Sequence, residues 1–163
     1  MGQASRHRSD RAKNLVGFVV GDVRYAVEIL RVREIINPLS IVPLPHAPSS
    51  VLGVADHRGL VVPVLDLRRR FGLAPEAPTR RTKWIIVESD GRAVGLVVDA
   101  VTEVFGAGVD QRRDVPRLGS GDEARGIAAV FATSEGLWFV IDVDRVAAPA
   151  QALDVPSLSE IPS

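Results

Sequence analysis

The feature that most constrains the fold is a pattern of apolar residues that occurs twice in the chain. Residues 24–35, RYAVEILRVREI, align with residues 93–104, AVGLVVDAVTEV, 69 positions later. In this alignment most aliphatic residues fall on aliphatic residues, and Glu34 falls on Glu103. A repeat of this kind indicates a duplicated structural unit. Two β-rich segments of similar composition also align by chance, and this alignment alone leaves that alternative open.

A second pair of motifs favours duplication. Residues 59–67, GLVVPVLDL, resemble residues 136–143, GLWFVIDV, since each has a Gly-Leu pair, an apolar run, and then Asp before an aliphatic residue. The motifs come in the same order in both halves. The sequence therefore predicts a mainly β protein with two similar small barrels, about 15–71 and 83–146, joined by a Pro- and Arg-rich linker at 74–82.

Alternating apolar residues and turn signals predict the individual strands. Between Arg24 and Ile29 every second side chain is large and apolar, as in a strand with one buried face. Turn residues between apolar runs predict three hairpins, at residues 15–29, 83–98 and 127–143. Residues 60–67 are a further strand, in which Pro63 should sit where no ladder hydrogen bond is needed from its nitrogen, such as an edge or a bulge. Short helices are expected at 49–52, 68–71 and 143–148, and mobile ends at 1–14 and 149–163.

Charge and cysteine content exclude several classes of function. The 163 residues include 20 basic and 20 acidic side chains, without the basic excess typical of a dedicated nucleic-acid-binding protein. Because there is no cysteine, disulfides, thiolate nucleophiles and cysteine-based zinc sites are excluded. Polar residues and glycines interrupt the first apolar stretch, so neither a signal peptide nor a membrane span is predicted there, and a cytoplasmic location is expected.

The polar cluster Asp56-His57-Arg58 is the strongest candidate for chemistry. In an extended strand His57 points away from both neighbours, and a general base needs its orienting partner within hydrogen-bond distance, which adjacent strand residues rarely provide. The chain has no G-x-S-x-G motif, no phosphate-binding loop and no His pair with the spacing of metal ligands. We therefore predict no catalytic, cofactor or metal site. A small hydrolase that uses His57 with Asp66 stays an alternative.

Two arginine runs, 68–70 and 80–81, raise the alternative of a nucleic-acid-binding barrel. A solvated face or a linker explains such runs more simply. Stacking of bases requires exposed aromatic side chains, whereas Trp84 and Trp138 lie in strand-like runs where burial is expected. We therefore predict that nucleic acid is not a partner.

What remains is a surface suited to protein partners. Small barrels expose strand edges, which proteins either protect or use for binding. Arg58 stands beside a tight turn at Gly59 and between apolar residues, like a charged anchor with an apolar rim. Its neighbour Asp56 is predicted to neutralise it partly until a partner arrives. The residues thus predict a binding module.

Four stretches together resemble the CheW family, which couples chemoreceptors to the histidine kinase CheA in bacterial and archaeal signalling. They are FVVGDVRYAVEILRVREII (18–36), VPLPHAPSSVLGVADHRGLVVPVLDLRRRFG (42–72), VGLVVDAVTEV (94–104) and GLWFVIDVDRV (136–146). The resemblance implies two SH3-like five-stranded β-barrels related by a rough two-fold axis, with a few short helices, within residues 15–148. Without room for a kinase or receiver domain, the chain resembles the stand-alone coupler.

The resemblance implies a non-enzymatic adaptor that holds a CheA-type kinase against the cytoplasmic tip of a methyl-accepting chemoreceptor. Such an adaptor would be found at receptor arrays on the inner face of the membrane. Kinase packing is expected near Val32, at a position that is not needed for folding, and Arg58 is expected to fix the register of the receptor hairpin. The residues predicted to contact partners are Val32, Glu34, Gly53, Asp56, Arg58, Gly59, Val101 and Val104.

The chain departs from the family where Asn-Leu-Arg-Gly is usual. Residues 56–59 are Asp-His-Arg-Gly instead, which places an acidic and a second polar side chain beside Arg58. This departure predicts a divergent paralogue that serves a different receptor or motility pathway, with Asp56 rejecting receptors that present an acidic residue there. A paralogue that binds only the kinase or only the receptor, and so competes with the coupler, is the other alternative.

Overall fold

The computed structural model describes residues 13–117, 119 and 125–153, which form a mainly β structure with a few short helices. The strands are β1 (Lys13–Val20), β2 (Val23–Glu28), β3 (Val32–Ile36), β4 (Val51–His57), β5 (Leu60–Asp66), β6 (Lys83–Ser89), β7 (Arg92–Val98), β8 (Ala100–Ala107), β9 (Arg112–Arg113), β10 (Ile127–Thr133) and β11 (Gly136–Ile141). Helix α1 covers Leu67–Arg70, helix α2 covers Val143–Gln151, and 3-10 turns cover Ile29–Arg31 and Val109–Gln111.

The strands form two sheets that repeat one order of pairing. Sheet A has the order β8-β1-β2-β11-β10-β9, and sheet B has the order β3-β6-β7-β5-β4. In each sheet a central hairpin, β1–β2 or β6–β7, pairs with an antiparallel edge strand on one side. On its other side it pairs in parallel with one strand of a second hairpin, β10–β11 or β4–β5. This equivalence matches the sequence repeat and confirms the predicted two-lobed β fold.

Each sheet takes strands from both halves of the chain, which corrects the predicted lobe segments. The hairpin β1–β2 pairs with β8 and β11, while β3, β4 and β5 share a sheet with β6 and β7. The chain crosses between sheets at the 3-10 turn after β2 and again between β7 and β8. Neither 15–71 nor 83–146 therefore forms a sheet alone. Local periodicity cannot reveal this exchange, because the parallel pairs join strands that are distant in sequence.

Buried apolar side chains form a central cluster between the sheets and a further cluster inside each lobe. Trp138 belongs to the cluster of sheet A and is 1% exposed, and Trp84 belongs to that of sheet B and is 2% exposed. Burial of a large apolar side chain contributes about 1.5–3 kcal/mol. The predicted burial of both tryptophans is confirmed, and the central cluster joins the two lobes through apolar contact.

Pro63 lies in an interior strand and not at an edge, but its nitrogen is at a position where no ladder hydrogen bond is needed, as predicted. Val54, opposite Pro63, exchanges both backbone hydrogen bonds with Val42 on the far side of β4, at 2.7 and 2.9 Å. Pro63 therefore faces β4 in a non-hydrogen-bonded pair, and its nitrogen points towards β7. The ladder between β5 and β7 begins at Val64, one residue later, so no hydrogen bond is lost.

Among the short helices, two of the three predicted are present. Residues 68–71 correspond to α1 and residues 143–148 to the first part of α2. Residues 49–52 are not helical, because a turn at 49–50 leads directly into β4, where Val51 is buried.

The ends of the described fold extend beyond the predicted domain limits. Residues 13 and 14 belong to β1, and residues 149–151 belong to α2, where Ala150 packs into the central cluster. The remainder of the predicted tails, 1–12 and 154–163, lies outside the described residues. Within the described ranges, no helix is long and apolar enough to cross a membrane.

Arg70 supports a weak point of α2. Pro149 lies inside the helix and has no N–H to donate to the carbonyl of Arg145, four residues earlier. The guanidinium of Arg70 donates to that carbonyl from Nη2 at 3.0 Å and to the carbonyl of Val146 from Nε at 3.1 Å. The last residue of the arginine run 68–70 therefore has a structural role.

Replacement of Arg70 with alanine should lower the free energy of unfolding by about 1–3 kcal/mol, because two helix carbonyls lose a charged donor. The measurement is urea denaturation followed by circular dichroism. In a Pro149→Ala background the helix regains an N–H for the carbonyl of Arg145, so the same replacement should cost less. Equal costs in the two backgrounds would contradict this role for Arg70.

Candidate protein-binding surface

The structure brings Glu34 into contact with His57 and Arg58, which follow it by 23 and 24 residues in the sequence. Glu34 on β3 accepts a hydrogen bond from Nη2 of Arg58 at 2.8 Å on one carboxylate oxygen. Its other oxygen lies 2.9 Å from Nε2 of His57. Strands β3 and β4 are the two edges of sheet B. The contact therefore links the edges of this sheet and places Glu34, His57 and Arg58 on one surface, as a barrel-like lobe requires.

Arg58 and Gly59 form the two-residue turn of the β4–β5 hairpin, between the paired residues His57 and Leu60. Their φ angles are 55° and 83°, and positive φ at both central positions is characteristic of a type I′ turn. Oδ1 of Asp56 accepts a hydrogen bond from the N–H of Gly59 at 2.8 Å. The predicted role of Gly59 as a tight turn residue thus has a geometric basis.

Asp56 holds the turn and does not pair with Arg58, which corrects the prediction of internal neutralisation by Asp56. The ion-pair partner of Arg58 is Glu34. An asparagine side chain also offers an Oδ1 acceptor. Asp56, in place of the family's usual Asn, therefore keeps the turn. His57, in place of the usual Leu, adds the contact with Glu34.

Arg58 remains accessible to a partner although it is paired. Its side chain is 76% exposed, against 30% for Glu34 and 15% for His57. An exposed ion pair contributes only about 0.2–1 kcal/mol to stability. A guanidinium that is oriented by Glu34 and still open to solvent is well placed for recognition of a carboxylate or a carbonyl.

Glu34 titrates at lower pH than an ordinary glutamate. The hydrogen bond with His57 is the main cause of its lowered pKa, and the positive charge of Arg58 acts in the same direction against the effect of desolvation. Because the folded-state pKa lies below the unfolded value of 4.5, ionised Glu34 stabilises the fold above that pH. This contribution is lost as the pH falls through the folded-state pKa.

Glu34→Gln should therefore lower the melting temperature at neutral pH and have a smaller effect in acid. The difference between wild type and variant is expected to shrink as the pH falls below the unfolded value of 4.5. Thermal denaturation at a series of pH values checks this. A difference that stays constant into strong acid would mean that the carboxylate charge of Glu34 does not act through His57 and Arg58.

Gly53 is buried and has an architectural reason to be glycine. Its φ is 144°, and a Cβ at this position would lie 2.1 Å from the carbonyl oxygen of Val42. The loop that carries Val42 bridges to β4 through Val54. Gly53 therefore lets this loop approach the strand closely, and it presents no side chain to a partner.

The three predicted valines differ in accessibility. Val32 on β3 and Val101 on β8 are half-buried and pack against the central cluster, whereas Val104 is 59% exposed. The packing of Val32 against the central cluster argues against the expectation that it is not needed for folding, which stays a prediction. Val32→Asp would disturb the core as well as any interface, so it cannot separate binding from folding.

Sequence reasoning missed an exposed leucine on the turn that leads into β3. Leu30 lies in the 3-10 turn between β2 and β3 and is 93% exposed. The turn is held by Arg31, whose Nη2 donates to the carbonyl of Glu88 at 2.8 Å and to Asp144 at 2.7 Å. The available signal was the adjacent pair Ile29-Leu30, which interrupts the strand alternation. An exposed leucine on a fixed turn is a candidate apolar contact.

The hydrolase alternative finds no support, since His57 and Asp66 lie near opposite ends of the β4–β5 hairpin. Asp66 caps α1 by accepting from the N–H of Arg68 at 3.1 Å, and burial raises its pKa. Asp142, its counterpart in the repeat, caps α2 in the same way. Over the described ranges no group of three or more His, Cys, Asp or Glu residues is placed to hold a metal ion.

Comparison with known proteins identifies the family. The family model described as CheW-like domain matches residues 14–151. The chain belongs to the CheW-like domain family. The CheW-like chain is 37% identical over 133 residues to the chemotaxis protein CheW of Rhizobium meliloti (strain 1021), covering 80% of this chain and 86% of that protein. A probable chemotaxis protein CheW of Rhizobium etli is 35% identical over 133 residues, with coverage of 80% and 86%.

A solved structure supports the CheW-like fold. The scaffolding protein TtCheW of Thermoanaerobacter tengcongensis matches with a TM-score of 0.77 and 26% identity, covering 90% of this chain and 97% of that one. The predicted membership of the family and the predicted arrangement of SH3-like lobes are both confirmed.

Proposed function

We propose that this protein is a non-enzymatic chemotaxis adaptor that couples a CheA-type histidine kinase to the cytoplasmic tip of a methyl-accepting chemoreceptor. The match of residues 14–151 to the CheW-like domain carries this proposal. The relatives are chemotaxis proteins, and TtCheW is a scaffolding protein. The protein would act in the cytoplasm, at receptor arrays on the inner face of the membrane.

The surface around Arg58 is our candidate for one of the two partner contacts. Arg58 would bind a carboxylate or carbonyl of the partner, oriented by Glu34 on β3, the other edge strand of sheet B. Elsewhere on the protein, Leu30, Ile35 and Val104 are exposed apolar residues on the β2–β3 turn and on the edge strands β3 and β8, and they are separate candidates for partner contact. Exposed apolar groups of this kind supply contact area, while a charged anchor fixes register.

Protein binding explains this surface better than catalysis does. The polar atoms of Asp56 and Glu34 are used for the turn and for contacts with Arg58 and His57. Asp66 is used as a helix cap. His57 does contact a carboxylate, that of Glu34, as a base contacts an orienting group. The chain nevertheless has no G-x-S-x-G motif to supply a nucleophile, so we expect no ATPase, phosphatase or esterase activity that His57→Ala removes.

A three-armed pull-down tests the adaptor function. Purified protein is incubated with the regulatory part of a CheA-type kinase, with a receptor cytoplasmic fragment, and with both. The adaptor should bind each alone and increase the amount of kinase recovered with the receptor. Binding to only one partner, with less kinase recovered when both are present, would favour the competing paralogue.

A further inference from the structure

A cleft between the two sheets lies away from the surface around Arg58. None of the eight residues predicted to contact partners lines it. Its walls come from the β1–β2 turn, the loop after β3, the start of α1 and the segment 75–82. Its volume is about 800 Å³, which is in the range of pockets that bind ligands.

The floor of the cleft is apolar. Leu39 is 37% exposed at its edge, and Ile41, Leu52 and Val97 are half-buried against the cluster that contains Trp84. Three prolines add rigid apolar surface to its walls. Displacement of water from such a floor by a bulky aliphatic side chain is favourable.

The segment predicted as a linker at 74–82 is fixed over this cleft. Arg68, whose side chain is 15% exposed, binds Asp99 at 2.9 Å and Glu76 at 3.2 Å and donates to the carbonyl of Ala74 at 3.1 Å. The N–H of Thr79 donates to Oγ1 of Thr82 at 2.8 Å. A wall that is ordered before binding reduces the entropy lost when a ligand is bound.

The charges on the cleft favour an acidic ligand. Four arginines and three carboxylates line it. Arg68 is shared by Asp99 and Glu76, and Arg69 lies 3.5 Å from Asp66, so the lining as a whole carries one more positive than negative charge. Arg80 and Arg81 are exposed and make no ion pair with any residue that the structure describes. Two guanidinium groups at the mouth are thus available for carboxylates.

We propose that this cleft binds a short extended segment of a partner protein in which acidic side chains flank a bulky aliphatic one. The aliphatic side chain would lie on the floor near Leu39, and the carboxylates would contact Arg80 and Arg81. Single-stranded nucleic acid fits less well, because base stacking requires an exposed aromatic ring, and Trp84 is 2% exposed. The proposal does not depend on the coupling function.

Fluorescence anisotropy with the full chain tests the proposal. The probe is a fluorescein-labelled peptide, Glu-Glu-Leu-Pro-Leu-Glu-Glu, and its matched control has Gln in place of every Glu. The acidic probe should bind saturably, with an affinity that falls as salt is added. The double variant Arg80→Gln, Arg81→Gln and the single variant Leu39→Ser should each weaken binding at least about tenfold. Arg112→Gln, on the far edge strand β9, should leave it unchanged.

Several outcomes would overturn the proposal. Absence of saturable binding would do so, as would equal binding of the Gln peptide or unchanged affinity in the Arg80 and Arg81 double variant. Tighter binding of a labelled oligouridylate, lost in the same double variant, would assign the cleft to nucleic acid. Melting temperatures close to that of the wild type show that the variants are folded, and binding to kinase and receptor should persist in all of them.

Discussion

Gly53→Ala is expected to produce the largest loss of stability of any single methyl addition that we consider. The new Cβ would lie 2.1 Å from the carbonyl oxygen of Val42 and 2.9 Å from Cα of Pro43. These are backbone atoms, so relief requires the whole loop to move away from β4. A residue with a side chain at a φ of 144° is also strained. Together these effects should lower the free energy of unfolding by about 3–5 kcal/mol.

Gly59→Ala is the matched control. Gly59 also has a positive φ, 83°, but no atom lies within 4 Å of its added Cβ. Gly59→Ala should lower the free energy of unfolding only by the backbone strain, about 1 kcal/mol. Chemical denaturation of the two variants separates the stability lost through the close approach of the loop from the stability lost through the positive φ alone. Equal losses in the two variants would mean that the loop around Val42 yields freely, and that Gly53 is required only for its backbone conformation.

Arg58→Asn is expected to have the largest effect on partner binding. Asparagine accepts the left-handed backbone at this position more readily than most residues, so the turn should persist while the guanidinium is removed. A central arginine contact is worth about 2 kcal/mol, which corresponds to a loss of affinity of about 30-fold. The melting temperature should change little, because the lost ion pair with Glu34 is exposed.

Isothermal titration against a receptor fragment and against the kinase measures this effect and shows which partner Arg58 contacts. Arg112→Asn, an exposed arginine on β9, is the control for a general loss of positive charge. If Arg58→Asn unfolds the protein while the affinity of the folded fraction is unchanged, the turn at Arg58 is architectural and the binding surface lies elsewhere.

Local features of the chain were predictable because local chemistry determines them. The hairpins follow from alternating side chains and turn residues, and the aligned aspartates of the repeat proved to be helix caps at Asp66 and Asp142. The exchange of strands between sheets was not predictable. It rests on the parallel pairs β2–β11 and β5–β7, which have no local signature.

The candidate site shows the same limit. Arg58 and Gly59 were predictable as a turn, since their neighbours and the positive φ of glycine are local properties. The partner of Arg58 was not, because Glu34 meets it only when the two edges of sheet B come together. Likewise, Gly53 gave no sign of its role, since the approach of Val42 depends on how the loop before β4 folds back.

Kinase activity in a reconstituted signalling complex shows whether this protein couples a receptor to the kinase. Receptor-containing membranes and a CheA-type kinase are assayed for autophosphorylation with and without this protein. We expect kinase activity to rise several-fold only when all three components are present, and we expect Arg58→Asn to abolish most of the increase. No increase with the folded wild-type protein, or reduced activity when it is added to a complex that already contains a functional coupler, would contradict the adaptor function.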